Sequence, residues 1–306
     1  MNEHRFDGRV AVVTGAGRGI GRAHALLLAG RGAGVVVNDL GGSMEGVGTD
    51  DAPAFDVAAE IVAAGGAAIA DTSDVASAAG AQALVHAAVA QFGRIDILVN
   101  NAGIIRWAAV PEADADNLAS HLAVHVGGSL NTTRAAWPHM VEQGYGRVVM
   151  TTSSGMFGLP DNVSYATAKA GVIGLTRSIA TAGAARGIKV NLIAPAAWTR
   201  MAGRPGDDVE PPGAPRMSPD LVAPMVAFLA HEACPVTGEI YAAGAGRFAR
   251  IFIASTEGYI HDGSAPTIED VADHWAAIND ETGYDVPATL REWSSVFMAH
   301  LRPDPP

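Results

Sequence analysis

The chain has 306 residues, of which 49% are hydrophobic and 17% charged, and its formal net charge is −12. This composition supports a large buried core, and the acidic balance argues against nucleic acid or an anionic membrane surface as a partner. The single cysteine, Cys234, excludes an internal disulfide framework. The N-terminus lacks a secretory signal pattern and no apolar run is long enough to span a bilayer, so we expect a cytoplasmic protein.

Short β-rich runs alternate with longer Ala-rich helical runs along most of the chain. In chain order, strands are predicted at VAVVTG (10–15), VVVND (35–39), AAIADTSD, IDILVNNAG, RVVMTTSSG, KVNLIAP and EIYAAGAG (239–246). Helices are predicted between them, the first three at 19–32, 56–66 and 76–93. Continuous apolar strands separated by helices require a parallel sheet that is covered on both faces. The sequence therefore predicts an α/β fold, a Rossmann-type doubly wound sheet of seven parallel strands flanked by helices.

Two segments depart from this alternation. Residues 203–217 are rich in Gly, Pro and acidic residues and follow the strand KVNLIAP. Ligands of open α/β sheets bind beyond the carboxyl ends of the strands, so this segment is a candidate mobile substrate lid, with a surface insertion as the alternative. We expect residues 1–246 to form one dinucleotide-binding and catalytic domain. Residues 247–306 are then a C-terminal extension that packs on this domain or on a partner subunit.

The loop TGAGRGIG, residues 14–21, joins the first strand to the first helix. Gly15 permits a tight turn, while Gly19 and Gly21 allow the backbone to approach a pyrophosphate and the helix to pack closely on the strand. The helix N-terminus adds free N–H donors and a dipole that favours phosphate. Strand, glycine loop and helix in this order predict a dinucleotide site, the alternative being glycines that serve packing alone.

The second strand ends in Asp39, which bears on the choice between NAD and NADP. Its carboxylate can accept hydrogen bonds from both hydroxyls of an adenine ribose and repels the additional phosphate of NADP. Arg18, inside the glycine loop, favours the opposite choice because its cation could pair with that phosphate. The acid lies directly at the strand end, and Leu40 beside it supplies no positive charge. We therefore expect NAD as the cofactor.

Tyr165 and Lys169 stand four residues apart in NVSYATAKAG, a stretch with a helical pattern. On a helix these two side chains lie on the same face, one turn apart. A tyrosine is a poor base at neutral pH, and a cation one turn away favours its phenolate form. Such a pair also occurs by chance on ordinary helix surfaces, so the spacing alone does not assign a function.

The chain resembles the short-chain dehydrogenase/reductase family over residues 8–246. The motifs that carry the resemblance are TGAGRGIG, Asp74 after the third strand, NNAG at 100–103 and YATAK at 165–169, in the family's order. The resemblance implies that Tyr165 exchanges a proton with the substrate oxygen while a hydride moves to or from the nicotinamide. It also implies that Lys169 lowers the pKa of Tyr165 and holds the nicotinamide ribose. The cofactor contacts that it implies are Gly15, Arg18, Gly19, Ile20, Gly21, Asp39, Asp74, Val75, Asn101, Ala102, Gly103, Tyr165, Lys169, Pro195 and Trp198.

The family's catalytic serine stands thirteen positions before the tyrosine, where this chain has Thr152. We assign the serine's role to Thr152, with Ser153 as the alternative if the strand is bulged. The family's asparagine in the central helix is replaced by His125, which could pass protons or merely pack in that helix. His121 and His125 also stand four apart, but the glutamate of a zinc protease is missing and no nearby carboxylate completes a site. No metal is therefore expected.

Further similarity in VVVNDLGG, TRAAWPHM (133–140) and residues 221–246 narrows the resemblance. It points to the (3R)-hydroxyacyl-CoA dehydrogenase part of the peroxisomal multifunctional enzyme type 2 branch and to bacterial hydroxysteroid dehydrogenase relatives. This implies an NAD-dependent oxidoreductase that interconverts a secondary alcohol and a ketone on a bulky apolar substrate, a 3-hydroxyacyl-CoA or a hydroxysteroid. The segment LPDNVSY departs from the branch beside the substrate, so acyl-CoA is less firmly implied than the chemistry. The competing hypothesis is a catalytically silent NAD-binding sensor or scaffold.

Two helical stretches bear on assembly. Residues 113–143 and 163–186 carry many small side chains, and members of the family commonly pair through these helices. We therefore expect a homodimer or homotetramer, the alternative being that the small residues serve only packing on the protein's own sheet.

Overall fold

The computed structural model describes residues 3–202, 217–262 and 265–301. The strands of its main sheet are β1 (Val10–Thr14), β2 (Gly34–Asn38), β3 (Ala67–Asp71), β4 (Ile97–Asn100), β5 (Gly146–Thr151), β6 (Ile188–Ala196), β7 (Ile240–Gly244) and β8 (Arg247–Ile251). Their spatial order is β3-β2-β1-β4-β5-β6-β7-β8, and every pair from β3 to β7 is parallel. The chain reverses its direction of winding between β1 and β4, and open α/β sheets bind ligands at such a point.

Helices connect the parallel strands. They are α1 (Gly19–Gly30), α2 (Ala52–Ala63), α3 (Ala78–Phe92), α4 (Ala115–His121), α5 (Ser129–Gln143), α6 (Val163–Gly183) and α7 (Ala223–Ala230). A π-helical segment, Leu122–Gly128, joins α4 to α5, and short 3₁₀ turns lie at Ser154–Phe157, Ala184–Arg186 and Pro219–Leu221. The long central helix expected from the sequence is therefore interrupted by a wider turn, and π-helical turns of this kind are often found at functional sites.

The centre of the sheet is completely buried, which explains the uninterrupted apolar strands of the sequence. Val12 lies opposite Val36 on one side and opposite Leu98 on the other, and all three side chains are inaccessible to solvent. Strands buried on both faces need apolar residues at every position rather than at alternate ones. The predicted fold class, a doubly wound sheet flanked by helices, is confirmed.

An eighth strand extends the sheet beyond the seven that were predicted. β7 and β8 are joined by two residues only, Ala245 and Gly246, with φ angles of 51° and 77°. Two-residue hairpin turns of this type need positive φ at both positions and normally carry Asn or Gly there. Alanine at the first position hides the turn signal, so no pattern indicated that the sheet continues past residue 246.

The chain divides into two compact units, residues 1–250 and 251–306. In the second unit β9 (Ser255–Thr256) pairs antiparallel with β10 (Tyr284–Asp285), and the helices are α8 (Ile268–Asp273), α9 (Trp275–Ile278) and α10 (Leu290–Phe297). None of the described residues of this unit is buried. The expected packing of the extension stays a prediction. The proposed lid at 203–217 lies outside the described residues except for Met217.

Among the residues that the structure describes, no helix combines the length and the apolar character needed to cross a bilayer.

Candidate active site

The glycine loop between β1 and α1 fits closely against the loop after β4. A Cβ atom on Gly15 would lie 2.8 Å from the Cα of Ala102, and one on Gly21 would lie 2.1 Å from the carbonyl oxygen of Gly15. Gly15 also has a φ of 62°, a conformation that other residues avoid. Both positions therefore require glycine for packing, and Gly15 requires it for the turn as well.

The N-terminus of α1 is left without a side-chain cap. Arg18 occupies the cap position with no capping hydrogen bond, and the first turn of α1 holds no acidic residue. By contrast, Ser77, Asp114 and Asn162 cap α3, α4 and α6 through side-chain oxygens. The first backbone N–H groups of α1 are thus available to an anion, which the helix dipole also favours.

Thr14 and Asn101 fix the two loops to each other. The Thr14 hydroxyl accepts hydrogen bonds from the backbone N–H groups of Asn101 and Ala102, both at 3.0 Å. The Asn101 side-chain amide donates to the carbonyls of Thr14 at 3.0 Å and Gly15 at 3.1 Å. The carboxyl ends of β1 and β4 are therefore held as one rigid wall.

A groove of about 500 Å³ runs along this edge of the sheet. The predicted cofactor residues that precede α4, from Gly15 to Gly103, all line it. The later ones, Tyr165, Lys169, Pro195 and Trp198, do not. Thr199, Arg200 and Met201 line it instead. Met201 was expected to contact the substrate, whereas Thr199 and Arg200 were not predicted, because no motif marks the residues that follow β6. The glycine-lined wall and the uncapped helix are features that a dinucleotide requires, so the residues present fit such a group.

Asp39 is held at the end of β2 by the backbone. One of its carboxylate oxygens accepts from the Gly17 N–H at 2.8 Å and the other from the Gly41 N–H at 2.7 Å. Arg18 lies 3.6 Å from Asp50 and forms its ion pair there. The acid that was expected to read the ribose is thus fixed in place, and the competing cation is paired with a different carboxylate.

Tyr165 and Lys169 lie one turn apart on α6, as the spacing predicted. The Asn162 side chain caps this helix by accepting from the Tyr165 N–H at 3.1 Å. The Lys169 Nζ donates to the Thr151 carbonyl at 2.9 Å and lies 5.6 Å from the centre of the Tyr165 ring. The strand end of β5 and the first two turns of α6 therefore bring the pair together inside the protein.

Burial dominates the electrostatics of this pair. It lowers the pKa of Lys169 from 10.5 to about 7, because a charged ammonium is disfavoured away from water. Burial also raises the pKa of Tyr165, and a hydrogen bond with Ser153 partly offsets this rise. From the sequence we expected Lys169 to lower the pKa of Tyr165. In the protein without a cofactor, the group that lowers the pKa of Tyr165 is Ser153.

The assignment of the serine's role to Thr152 does not agree with the geometry. Thr152 is 1% exposed, and its hydroxyl donates to the carbonyl of Lys169 at 2.7 Å. Ser153 is only half-buried, and its side chain forms a hydrogen bond with Tyr165. Since the Thr152 hydroxyl is turned into the backbone of α6, the alternative residue, Ser153, is the one placed to hold a substrate oxygen.

His121 and His125 form a stacked pair beside the tyrosine. Their ring centres lie 6.0 Å apart, and both rings meet Tyr165 edge-on, at 6.2 Å and 5.4 Å. Burial lowers the pKa of both, that of His125 well below 6.5, so both are neutral near pH 7. The i, i+4 spacing of the two histidines indicated this pair in the sequence, where it was considered only as a possible metal site.

His125 is anchored by one nitrogen and free at the other. Its Nε2 lies 2.9 Å from the carbonyl oxygen and 3.4 Å from the backbone nitrogen of Ile104, so the ring is held to this residue by one atom. Its Nδ1 is buried and has no hydrogen-bond partner among the residues that the structure describes. A Cβ on Gly103 would lie 2.5 Å from this ring, so His125 connects the groove wall to Tyr165.

Comparisons with known proteins agree with this geometry. The family model described as short chain dehydrogenase matches residues 9–204. A Mycobacterium tuberculosis protein named as a short-chain type dehydrogenase/reductase is 43% identical over 277 residues, covering 90% of this chain and 95% of that protein. The mouse peroxisomal multifunctional enzyme type 2 is 42% identical over 296 residues, which are 94% of this chain but 39% of the mouse enzyme.

A solved structure shows the same relationship. The full-length peroxisomal multifunctional enzyme type 2 of Drosophila melanogaster superposes with a TM-score of 0.80 and 33% identity, over 97% of this chain and 50% of that enzyme. The chain thus spans half or less of these two multifunctional enzymes. Given the family match, the identity to these relatives and the shared fold, this chain belongs to the short-chain dehydrogenase/reductase family of oxidoreductases.

Proposed function

We propose that this chain is an NAD-dependent dehydrogenase that oxidises a secondary alcohol to a ketone on a bulky apolar substrate. The observation that carries the proposal is the grouping of Tyr165, Lys169 and Ser153 at the edge of the sheet where the dinucleotide groove lies. His125 lies between these residues and the groove, since it packs on Gly103 of the groove and on the Tyr165 ring.

The residues have separate parts in the reaction. Ser153 holds the oxygen of the substrate, and Tyr165 in its phenolate form takes the hydroxyl proton. Lys169 stabilises this phenolate as an ammonium ion, because each of two buried opposite charges compensates the burial of the other. Bound NAD supplies the hydride acceptor and the positive ring that also favours the phenolate. One alcohol and one NAD thus yield one ketone, one NADH and one proton.

Asp39 supports NAD over NADP. Both of its oxygens are held by backbone N–H groups, so the carboxylate cannot turn away from a phosphate on the ribose. Placing that phosphate against a fixed carboxylate costs more than about 1.4 kcal/mol, which corresponds to a factor of ten in affinity.

The substrate class rests on the branch that the chain resembles. The relatives named peroxisomal multifunctional enzyme type 2 match nearly the whole chain, which supports a 3-hydroxyacyl-CoA as the first substrate to test. The departure at Leu159–Asn162, directly before α6, keeps a hydroxysteroid as the second.

A substrate screen with NAD tests the proposal. Purified protein is mixed with NAD and a panel of 3-hydroxyacyl-CoA thioesters of both configurations and of hydroxysteroids, and reduced cofactor is followed by absorbance. We expect turnover with at least one of these secondary alcohols. If the protein binds NADH in a fluorescence titration but turns over none of them, the sensor hypothesis replaces this one.

A further inference from the structure

The residues that follow β6 lie over the glycine loop. Thr199 packs against it so closely that a Cβ on Gly19 would be 3.3 Å from the Thr199 Cγ2 atom. Arg200 is the next residue and lines the groove together with Gly19 and Arg18. The guanidinium itself lies at the Gly42 carbonyl, in the segment after β2, so this side chain reaches across the groove from the residues after β6.

The Arg200 guanidinium has only a weak partner there. Its two Nη atoms each donate to the Gly42 carbonyl at 3.3 Å, the only hydrogen bonds of this side chain among the described residues. A single neutral carbonyl at that distance is a poor match for a fork of charged donors. Burial and the neighbouring Arg18 lower the pKa of Arg200, while Asp39 and Glu45 act in the opposite direction without contacting the guanidinium.

The acidic groups nearby are already engaged. Asp39 accepts from two backbone N–H groups, and Glu45 accepts from the Ser43 hydroxyl at 2.8 Å. Arg18 pairs with Asp50. Arg200 is therefore the cation of this groove that lacks a carboxylate in direct contact, again within the described part of the chain.

We infer that Arg200 binds the pyrophosphate of the dinucleotide, opposite the N–H groups of α1; this rests on the proposed function. One guanidinium can donate two parallel hydrogen bonds to two oxygens of a phosphate. These charge-assisted hydrogen bonds are stronger than a hydrogen bond to a neutral carbonyl. The groove offers two phosphate positions in principle, the pyrophosphate shared by NAD and NADP and the ribose phosphate of NADP alone. The fixed Asp39 carboxylate opposes the second, so the geometry assigns Arg200 to the first.

The test compares ligands that differ in phosphate. Dissociation constants of NADH and NADPH are measured by fluorescence titration, and those of ADP and adenosine by displacement of NADH. For Arg200→Gln we expect NADH, NADPH and ADP to bind about tenfold more weakly, by roughly 1.4 kcal/mol each, with adenosine unchanged. Arg200→Lys keeps the charge, so its affinities for NADH, NADPH and ADP should lie between those of the wild type and those of Arg200→Gln. Arg31→Gln, which removes an arginine paired with Glu3 at the far end of α1, is the matched control and should bind all four ligands normally.

Each other outcome overturns the inference in a recognisable way. A loss confined to NADPH would assign Arg200 to the ribose phosphate, and equal losses for ADP and adenosine would show a structural role. Unchanged constants would show that Arg200 does not bind the cofactor. Failure of the wild-type protein to bind NADH and ADP would instead remove the proposed function, and the inference with it.

Discussion

The dinucleotide groove and the catalytic cluster lie at the same edge of one sheet, yet they are built from different kinds of group. The groove consists of glycines, backbone N–H donors and solvent-accessible charges, such as the exposed Arg200 and the half-buried Asp39. The cluster consists of buried side chains, among which Lys169 is 4% and His125 2% exposed. Water therefore weakens the charges of the groove, whereas in the cluster burial itself sets the protonation of each group.

This difference predicts different responses to substitution. A change of charge in the groove should alter cofactor affinity and leave the fold intact. A change in the cluster should alter the chemistry, and it can alter stability as well because a buried ammonium opposes folding. Functional sites commonly sacrifice stability in this way.

The largest effect is expected for the tyrosine. Tyr165→Phe removes the hydroxyl that takes the substrate proton in the proposed reaction, so turnover should fall by about a thousandfold, within the range typical of a lost acid–base group. The NADH dissociation constant should stay within about threefold of the wild type, since the phenol does not line the groove. Steady-state kinetics and a fluorescence titration measure the two. Loss of NADH binding with turnover would show that the two regions are not separable.

The next comparison decides between two neighbouring hydroxyls. Ser153→Ala should lower turnover by about a hundredfold, because it removes the hydroxyl that is hydrogen-bonded to Tyr165. Thr152→Val keeps the shape and removes only the hydroxyl bonded to the Lys169 carbonyl. It should cost about 1 kcal/mol of stability and change turnover little. A larger loss of turnover in Thr152→Val would restore the assignment made from the family spacing.

The third prediction concerns the stability that Lys169 costs. Its pKa is about 7 in the folded protein and 10.5 as a free side chain, so the unfolded chain binds more protons between these values and wild-type stability rises with pH across this window. Lys169→Met lacks this dependence and should be more stable by roughly 2 kcal/mol at pH 7 in the cofactor-free protein. The gain should shrink as the pH approaches 10, and we expect the variant to be inactive.

Denaturant unfolding at several pH values measures this gain. The matched control is Lys189→Met, since Lys189 donates to the Cys234 carbonyl and is less buried. It should be no more stable than the wild type. A Lys169→Met protein that is less stable at every pH would mean that burial of this lysine is fully compensated by its surroundings.

The smallest effect is expected for cofactor choice. The wild type should bind NADH about tenfold more tightly than NADPH, and Asp39→Ser should reduce this preference to threefold or less. Asp50→Ser removes the same charge from the nearby ion pair with Arg18 and is the control. If both variants shift the preference equally, the general charge of the groove, rather than the position of Asp39, selects the cofactor.

The sequence predicts the parts of the site that depend on local pattern. Glycine spacing, apolar strands and the Tyr165–Lys169 interval are properties of neighbouring residues, and the structure places them as expected. Local pattern is also why Asp39 could be located, since it follows directly on a strand.

The remaining features depend on contacts between distant segments. Which of Thr152 and Ser153 faces Tyr165 is decided by how the end of β5 packs on α6, and a shift of one residue exchanges their roles. Arg200 reaches the groove through the packing of Thr199 on Gly19, a contact between residues far apart in the chain. No motif reports such a contact, so a single sequence could not have found it.

The most direct test of the account follows one hydrogen atom. A 3-hydroxyacyl-CoA that the screen identifies as a substrate is prepared with deuterium on its carbinol carbon and incubated with NAD, and the products are analysed by mass spectrometry. The account predicts one deuterium in the reduced cofactor for each ketone formed, with wild-type protein and not with Tyr165→Phe. Ketone formed without deuterated cofactor, or deuterium transfer that persists undiminished in Tyr165→Phe, would contradict it.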